Sequence, residues 1–184
     1  VEVKKRQAVS GVDINLEQAW KTYGNGNHDT IVAMIDTGID YTHEDLKDTL
    51  WVNTDEIPGN GIDDDGNGYV DDVYGWNFYN NNNQIFTGEE DSHGTHGAGT
   101  ISAGTGNGIG IAGIVPGNRV RVMALKALGG TDGGGSTAAV IKAVRYAEDN
   151  GAVICNLSLT STVDDKALYE AMKNSSMLFV VAAG

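Results

Sequence analysis

The apolar residues of this chain fall mainly into four short segments, where they stand side by side more often than they alternate with polar residues. The segments cover residues 30–35, 119–127, 152–157 and 177–182. Largely unbroken apolar strands are typical of a parallel sheet that is covered on both faces. The pattern therefore predicts four strands of one buried sheet.

Helical patterns lie between and before these strands. They predict helices over residues 13–23, 95–103, 137–150 and 163–174. Ser136 is a favourable N-terminal cap for the third helix, and Gly151 is a favourable stop. The alternation of strands and helices predicts an α/β fold, a parallel β-sheet with helices on both faces. Ligands of such sheets bind beyond the carboxyl ends of the strands, and Asp36 directly follows the first strand.

Residues 40–92 interrupt this alternation with a long segment rich in Asp, Asn and Gly. A connection of that length without regular structure is usually functional or stabilised by an ion. The segment is therefore expected to carry a binding role rather than to serve only as a linker.

Composition narrows the possible partners. The 184 residues favour one domain and include 25 Asp and Glu against 12 Lys and Arg, a net charge of −13 with His neutral. Nucleic acid is excluded as a partner because it requires clustered cations. No run of 18 apolar residues is present, so no membrane partner is expected either. The single cysteine, Cys155, lies in an apolar strand and is predicted to be a buried structural thiol.

Two short motifs carry candidate chemistry. Residues 33–38 place the carboxylate of Asp36 at a strand end, and residues 92–97 (Ser-His-Gly-Thr-His-Gly) place His93 in a Gly-rich turn. An Asp that orients a His supplies two thirds of a nucleophilic triad. The alternatives are a strand-end cap for Asp36 and a metal site on His93 and His96. No third ligand pattern or Glu base accompanies the two histidines, so His96 is better explained as a structural hydrogen-bonding residue.

Four segments in the expected order resemble the subtilisin-like serine proteases. Residues 32–39 and 93–100 are similar to the aspartate and histidine motifs of that family. Residues 156–159 are similar to its substrate-binding strand, and residues 180–184 to the segment before its oxyanion-hole asparagine. The resemblance spans nearly the whole chain. It implies a subtilisin-like three-layer fold and catalytic roles for Asp36 and His93: Asp36 orients the imidazole, which moves the proton of the nucleophile.

The resemblance also implies a groove for a polypeptide substrate in extended conformation, bound by strand addition. Its residues would be Leu128, Gly129, Gly130, Gly133, Gly134, Ser158, Leu159, Thr160, Ala183 and Gly184. Simple turn chemistry is the alternative for the glycines. Two positions depart from the family pattern: Gly97 replaces the usual Val or Cys, and Thr160 replaces a usual Gly.

The serine motif of the family, Gly-Thr-Ser-Met-Ala in type, does not occur in this sequence, and the asparagine would follow Gly184. Loss of both groups would remove nearly all catalysis. We therefore expect residues 1–184 to be the N-terminal portion of a single catalytic domain, inactive alone and incomplete as a fold. Its expected partner is the C-terminal portion that carries the Ser, with a propeptide or protein inhibitor as a further partner. The expected location is secreted or extracellular, the cell surface included.

Two other functional classes compete with a protease. One is a non-catalytic, calcium-dependent peptide-binding fragment or pseudoprotease that uses the same groove. The other is a flavodoxin-like binding domain, which requires a phosphate loop after the first strand. Residues 36–38 (Asp-Thr-Gly) make a poor phosphate loop.

An acidic loop within an insertion at about 53–75 predicts calcium, Ca2+, as the cofactor. Its side chains and one carbonyl follow the early positions of an EF-type loop, with Asp72 as the closing carboxylate in place of a Glu. The predicted ligands are Asp63, Asp65, Asn67, Tyr69, Asp71 and Asp72. A solvated acidic turn is the alternative. The resemblance implies a second calcium site formed by Asp45, Asn107 and the carbonyls of Thr105, Ile109 and Ile111.

Overall fold

The computed structural model describes residues 11, 13–24, 26, 29–117 and 119–184. In chain order, the elements are α1 (Leu16–Tyr23), β1 (Thr30–Asp36), β2 (Gly75–Asn77), α2 (Ser92–Ser102), β3 (Val120–Lys126), β4 (Leu128–Gly129), β5 (Gly134–Gly135), α3 (Thr137–Asp149), β6 (Ile154–Leu157), α4 (Lys166–Asn174) and β7 (Leu178–Val181). Five strands form a sheet in the order β2-β3-β1-β6-β7, and all of their pairings are parallel. The predicted α/β class is confirmed.

The sheet is covered on both faces, as predicted. Ala33 and Ile35 of β1 belong to the hydrophobic core that includes α3. Val32 and Met34, their neighbours on the same strand, belong to a second core that includes Ala98 of α2. Successive side chains of a strand point to opposite faces of the sheet. The two cores therefore lie on opposite faces of the sheet, between the sheet and the helices, in a three-layer structure.

Several element boundaries differ from the predictions for local reasons. The first helix starts at Leu16 instead of residue 13, because Asn15 takes the left-handed conformation (φ 59°). The last helix starts at Lys166 instead of 163, because the Asp165 carboxylate caps it by accepting from the amides of Ala167 and Leu168. A side chain that pairs with the free amides of the first turn fixes where a helix begins.

The segment 40–92 contains regular secondary structure that its composition did not predict. β2 extends the sheet beside β3, and a 3-10 helix over Glu89–Asp91 leads directly into α2. With this support α2 starts at Ser92, three residues before the predicted start at 95. β2 was missed because it is only 3 residues long and lies within a longer segment rich in Asp, Asn and Gly.

Cys155 is free and buried, as predicted. Burial raises the pKa of its thiol to about 12. A thiol held in its neutral form is a poor nucleophile. The cysteine therefore contributes packing to β6 and not chemistry.

Gly97 is one of the two departures from the family pattern, and its neighbour across the helix–sheet interface explains it. A Cβ atom at Gly97 would lie 2.2 Å from the terminal methyl group of Met34. Met34 is only 1% exposed, and its sulfur is 3.2 Å from the amide nitrogen of Asn156. The long side chain on β1 thus occupies space that a larger residue on α2 would need.

This pairing predicts that the effect of Gly97→Ala depends on residue 34. In the native background the added methyl group overpacks the interface and should lower the free energy of unfolding by about 1–3 kcal/mol. In a Met34→Val background the space is free, so the better helix propensity of Ala should raise that free energy by up to about 1 kcal/mol. Chemical denaturation of the four variants measures both effects. An identical effect of Gly97→Ala in the two backgrounds would contradict the proposed contact.

Candidate active site

Asp36 and His93 meet at the carboxyl end of β1. His93 Nδ1 lies 2.7 Å from Asp36 Oδ1, and the backbone amide of Thr37 donates to the same oxygen at 2.7 Å. The carboxylate is 1% exposed, whereas the side chain of His93 is 61% exposed. A buried carboxylate bonded to Nδ1 fixes the orientation of the imidazole and leaves Nε2 as the nitrogen that can exchange a proton. The two residues predicted as catalytic are thus brought together.

His93 is held in place by close contact between the start of α2 and the chain after β1. The amide of Gly94 donates to Thr37 Oγ1 at 3.1 Å. A Cβ atom at Gly94 would lie 2.2 Å from the carbonyl oxygen of Gly38, so only glycine allows this approach. The Gly-rich sequence around His93 therefore serves to bring a helix terminus against a strand end.

A buried lysine, which the sequence analysis missed, binds residues that lie close in sequence to Asp36 and His93. Lys126 is the last residue of β3, and its ammonium donates to Asp91 Oδ1 at 2.5 Å. It also donates to the carbonyl oxygens of Thr37, at 2.5 Å, and Leu128, at 3.1 Å. The available signal was a single lysine in an otherwise apolar strand end, together with an acidic residue two positions before His93.

A groove of about 770 Å³ opens beside His93. Seven of the ten predicted substrate-binding residues line it: Leu128, Gly130, Gly133, Gly134, Ser158, Leu159 and Thr160. Gly129 is instead buried against the ring of Tyr79, and Ala183 and Gly184 are exposed outside the groove. The chain around these glycines forms β4 and β5, which pair antiparallel. One wall of the groove is therefore a short hairpin.

His96 does not behave as predicted. Its side chain is exposed on α2 and makes no hydrogen bond within the described part of the chain. It lines a different pocket from that of His93, together with His43 and Asp45.

The acidic loop brings two of the predicted carboxylates together with a third, Glu56, that was not predicted. Ligand oxygens of Glu56, Asp65 and Asp72 lie within 4.8 Å of one another. The side-chain amide of Asn67 donates to both Asp65 and Asp72, at 3.0 and 2.9 Å. The amide of Asn53 does the same at 3.0 and 2.8 Å. Burial raises the pKa of Asp65, but hydrogen bonds from Asn53 and Asn67 outweigh that effect and leave the pKa below its ordinary value.

Two further predicted ligands cap turns of the loop. Asp63 accepts from the backbone amides of Asn67 and Gly68, and Asp71 accepts from those of Asn60 and Gly61. Asp63 also lies close enough to Asp65 to lower the pKa of that carboxyl group. Glu56 and Asn53 were missed because they precede the EF-type pattern of residues 63–72 and reach it only in the folded loop.

The cluster is tied to the core through aromatic residues. The hydroxyl of Tyr146, on α3, donates to Asp72 Oδ2 at 2.5 Å. Burial and the neighbouring Asp72 carboxylate both raise the pKa of Tyr146. The ring of Tyr69 packs edge-on against Tyr146 and Trp76, with centroid distances of 5.0 and 5.1 Å. The side chain of Tyr69 is thus a core contact, which leaves its carbonyl as the predicted ligand.

The second predicted calcium site also has its side chains together. Asp45 Oδ1 accepts from the side-chain amide of Asn107 at 2.7 Å, and Oδ2 accepts from the backbone amide of Ile111 at 3.1 Å. The Asn107 hydrogen bond and those from Ile111 and Gly104 lower the pKa of Asp45 against the opposing effect of burial. The carboxylate is therefore charged at neutral pH.

Known proteins are similar to the part of this chain that carries Asp36 and His93. The model of the subtilase family matches residues 27–184. The chain is 36% identical to the major intracellular serine protease of Bacillus subtilis over 83% of the chain and 42% of the relative. It is 35% identical to a thermophilic serine proteinase of Bacillus sp. over 91% of the chain and 36% of the relative. Subtilisin-like protease 1 of Plasmodium vivax is 51% identical over 46% of the chain and 13% of the relative. The chain spans less than half the length of each of these relatives.

Proposed function

This chain belongs to the subtilase family, and we propose that it carries the aspartate and the histidine of a serine endopeptidase. The observation that supports the proposal is the 2.7 Å contact between His93 Nδ1 and a buried Asp36 at the edge of a groove. Asp36 would hold the imidazole in one tautomer and stabilise its protonated form. His93 would take the proton of the attacking serine and return it to the leaving amine.

The serine and the oxyanion-hole asparagine would come from a C-terminal portion of the same domain. Residues 1–184 would form its N-terminal portion, with an insertion at about 53–75 that carries the acidic loop. The sequence has no motif of the serine type around Ser102, Ser136 or Ser158, so we expect the chain alone to be inactive. The alternative is a peptide-binding fragment or pseudoprotease, which the same groove would support.

A polypeptide in extended conformation is the substrate class that the groove would bind. One wall is the hairpin of β4 and β5, and the other is the chain that continues from β6 through Ser158 and Thr160. Exposed backbone on both sides allows a peptide to pair as an added strand. A propeptide or a protein inhibitor would occupy the same groove.

The acidic cluster fits a calcium ion. Ca²⁺ prefers six to eight oxygen ligands, and Glu56, Asp65 and Asp72 supply carboxylates that repel one another without a cation. The amides of Asn53 and Asn67 would add oxygen ligands after rotation of each amide group. Bound calcium would offset two of the three negative charges of this cluster, and Asp72 would link the bound ion to Tyr146 of α3. Asp45 and Asn107 would hold a second ion.

The location that we propose is secreted or extracellular. One relative, 33% identical over 79% of the chain, is a halolysin-like extracellular serine protease of Natrialba magadii, while the Bacillus subtilis relative is intracellular. Within the described residues, no helix has the length and apolar character needed to cross a membrane.

Asp36→Asn tests the acid–base role in the full-length protein that contains this chain. Turnover of a peptide substrate should fall by roughly 10⁴-fold, because Asn favours the wrong imidazole tautomer. The melting temperature should change little, since Asn still accepts from the Thr37 amide. Glu44→Gln, at an exposed carboxylate, is the matched control. Unchanged turnover in Asp36→Asn would remove Asp36 from the mechanism, and native protein that resists a serine-directed phosphonate would favour the pseudoprotease.

Calcium should stabilise the protein through the acidic loop. At a free concentration 100 times its Kd, calcium should add about 2.7 kcal/mol to the free energy of unfolding. Glu56→Gln with Asp72→Asn should remove the part of the calcium effect that comes from this loop, so the gain in stability between EDTA and calcium should be smaller than in the native protein. Asp71→Asn, which alters only a turn cap to Asn60 and Gly61, should keep the native gain. Equal calcium effects in both variants would contradict the assigned ligands.

The charges along the groove predict a preference for basic peptides. Apart from His93, the ionisable side chains that line it are Glu90 and Asp132, both exposed carboxylates. A peptide with Lys on the acyl side of the scissile bond should have a kcat/KM several-fold higher than its Glu counterpart at low salt, with the difference shrinking as ionic strength rises. Glu90→Gln with Asp132→Asn should remove the difference. Equal cleavage of both peptides by native protein would disprove the preference.

A further inference from the structure

Lys126 lies where burial of a charged group has a high free-energy cost. Its side chain is 2% exposed, and that of its partner Asp91 is fully buried. Burial of an ammonium and a carboxylate often costs more than their attraction returns, so a well-packed apolar pair would be equally stable. The position of this pair is therefore more informative than its contribution to stability.

The three acceptors of the Lys126 ammonium belong to three different parts of the site. Thr37 directly follows Asp36, and Asp91 lies two residues before His93 at the start of α2. Leu128 begins the hairpin that lines the groove. An ammonium has three donor hydrogens, and each has one of these acceptors.

Asp91 extends the same network beyond the lysine. Its second oxygen, Oδ2, accepts from the backbone amide and the hydroxyl of Thr87, at 2.6 and 2.9 Å. The turn that precedes α2 is thus fixed on both sides of the carboxylate. The start of α2 cannot shift relative to β1 without breaking hydrogen bonds to a buried charge.

We propose that Lys126 is a positioning residue that sets the distance between Asp36 and His93 and aligns the groove hairpin with them. It does not touch the substrate or the reacting atoms. The consequence for catalysis rests on the proposed endopeptidase function, whereas the consequence for the Asp36–His93 contact does not. A displacement of about 1 Å in a catalytic group can reduce turnover by roughly 10²-fold.

The test replaces both charges at once, because Lys126→Met alone would leave Asp91 buried and unpaired. The variant is Lys126→Met with Asp91→Asn in the full-length protein, and the control is Lys47→Met with Asp48→Asn, an exposed pair with the same change of charge. Positioning predicts a melting temperature near that of the native protein, a fall in kcat of at least tenfold, and loss or faster exchange of the downfield proton resonance of His93 Nδ1–H.

A purely structural role predicts the opposite result. Native kcat and an unchanged downfield resonance in a stable double variant would overturn the proposal. If the double variant does not fold, Asp91→Glu decides, because it keeps both buried charges paired and lengthens the link between Lys126 and the start of α2 by one methylene group. A several-fold fall in kcat supports positioning, and native kcat overturns it. If the native protein cleaves no peptide, the proposed function fails, and the resonance still tests the positioning role.

Discussion

The parallel pairing of β1 with β3 is the constraint on which the site depends. Its register sets Asp36 beside Lys126 at the ends of the two strands, and the amide of Ala127 continues the ladder by donating to the Asp36 carbonyl at 3.0 Å. The carboxylate and the ammonium therefore leave the sheet at the same edge. Parallel strands place such ends together, which is why this edge binds ligands in open α/β sheets.

The sequence predicts those parts of the molecule that are determined by residues adjacent in the chain. Asp36 ends an apolar run and His93 lies in a short Gly-rich motif, so both could be identified without long-range information. The boundaries of α1 and α4 were less accurate because they depend on Asn15 and Asp165, whose cap geometry is a property of the folded backbone.

The parts that could not be predicted depend on contacts between distant residues. Lys126 and Asp91 are 35 positions apart, and Tyr146 and Asp72 are 74 apart. A linear ligand pattern selected Asp63 and Asp71, which have the right spacing but cap turns. The same pattern excluded Glu56, which the fold brings to the cluster from outside the motif. Spacing identifies a loop that concentrates oxygen ligands, whereas the fold selects which oxygens converge.

The two clusters of buried or partly buried charge differ in how they are neutralised. At the candidate active site the chain supplies its own cation, because the Lys126 ammonium is 2.5 Å from the Asp91 carboxylate. Within the described residues, Glu56, Asp65 and Asp72 form no salt bridge to Lys or Arg, and their donors are neutral amides and the Tyr146 hydroxyl. Neutral donors reduce the repulsion between neighbouring carboxylates but do not cancel their charge. The same electrostatic requirement that pairs Lys126 with Asp91 therefore argues for an exogenous cation at the acidic loop.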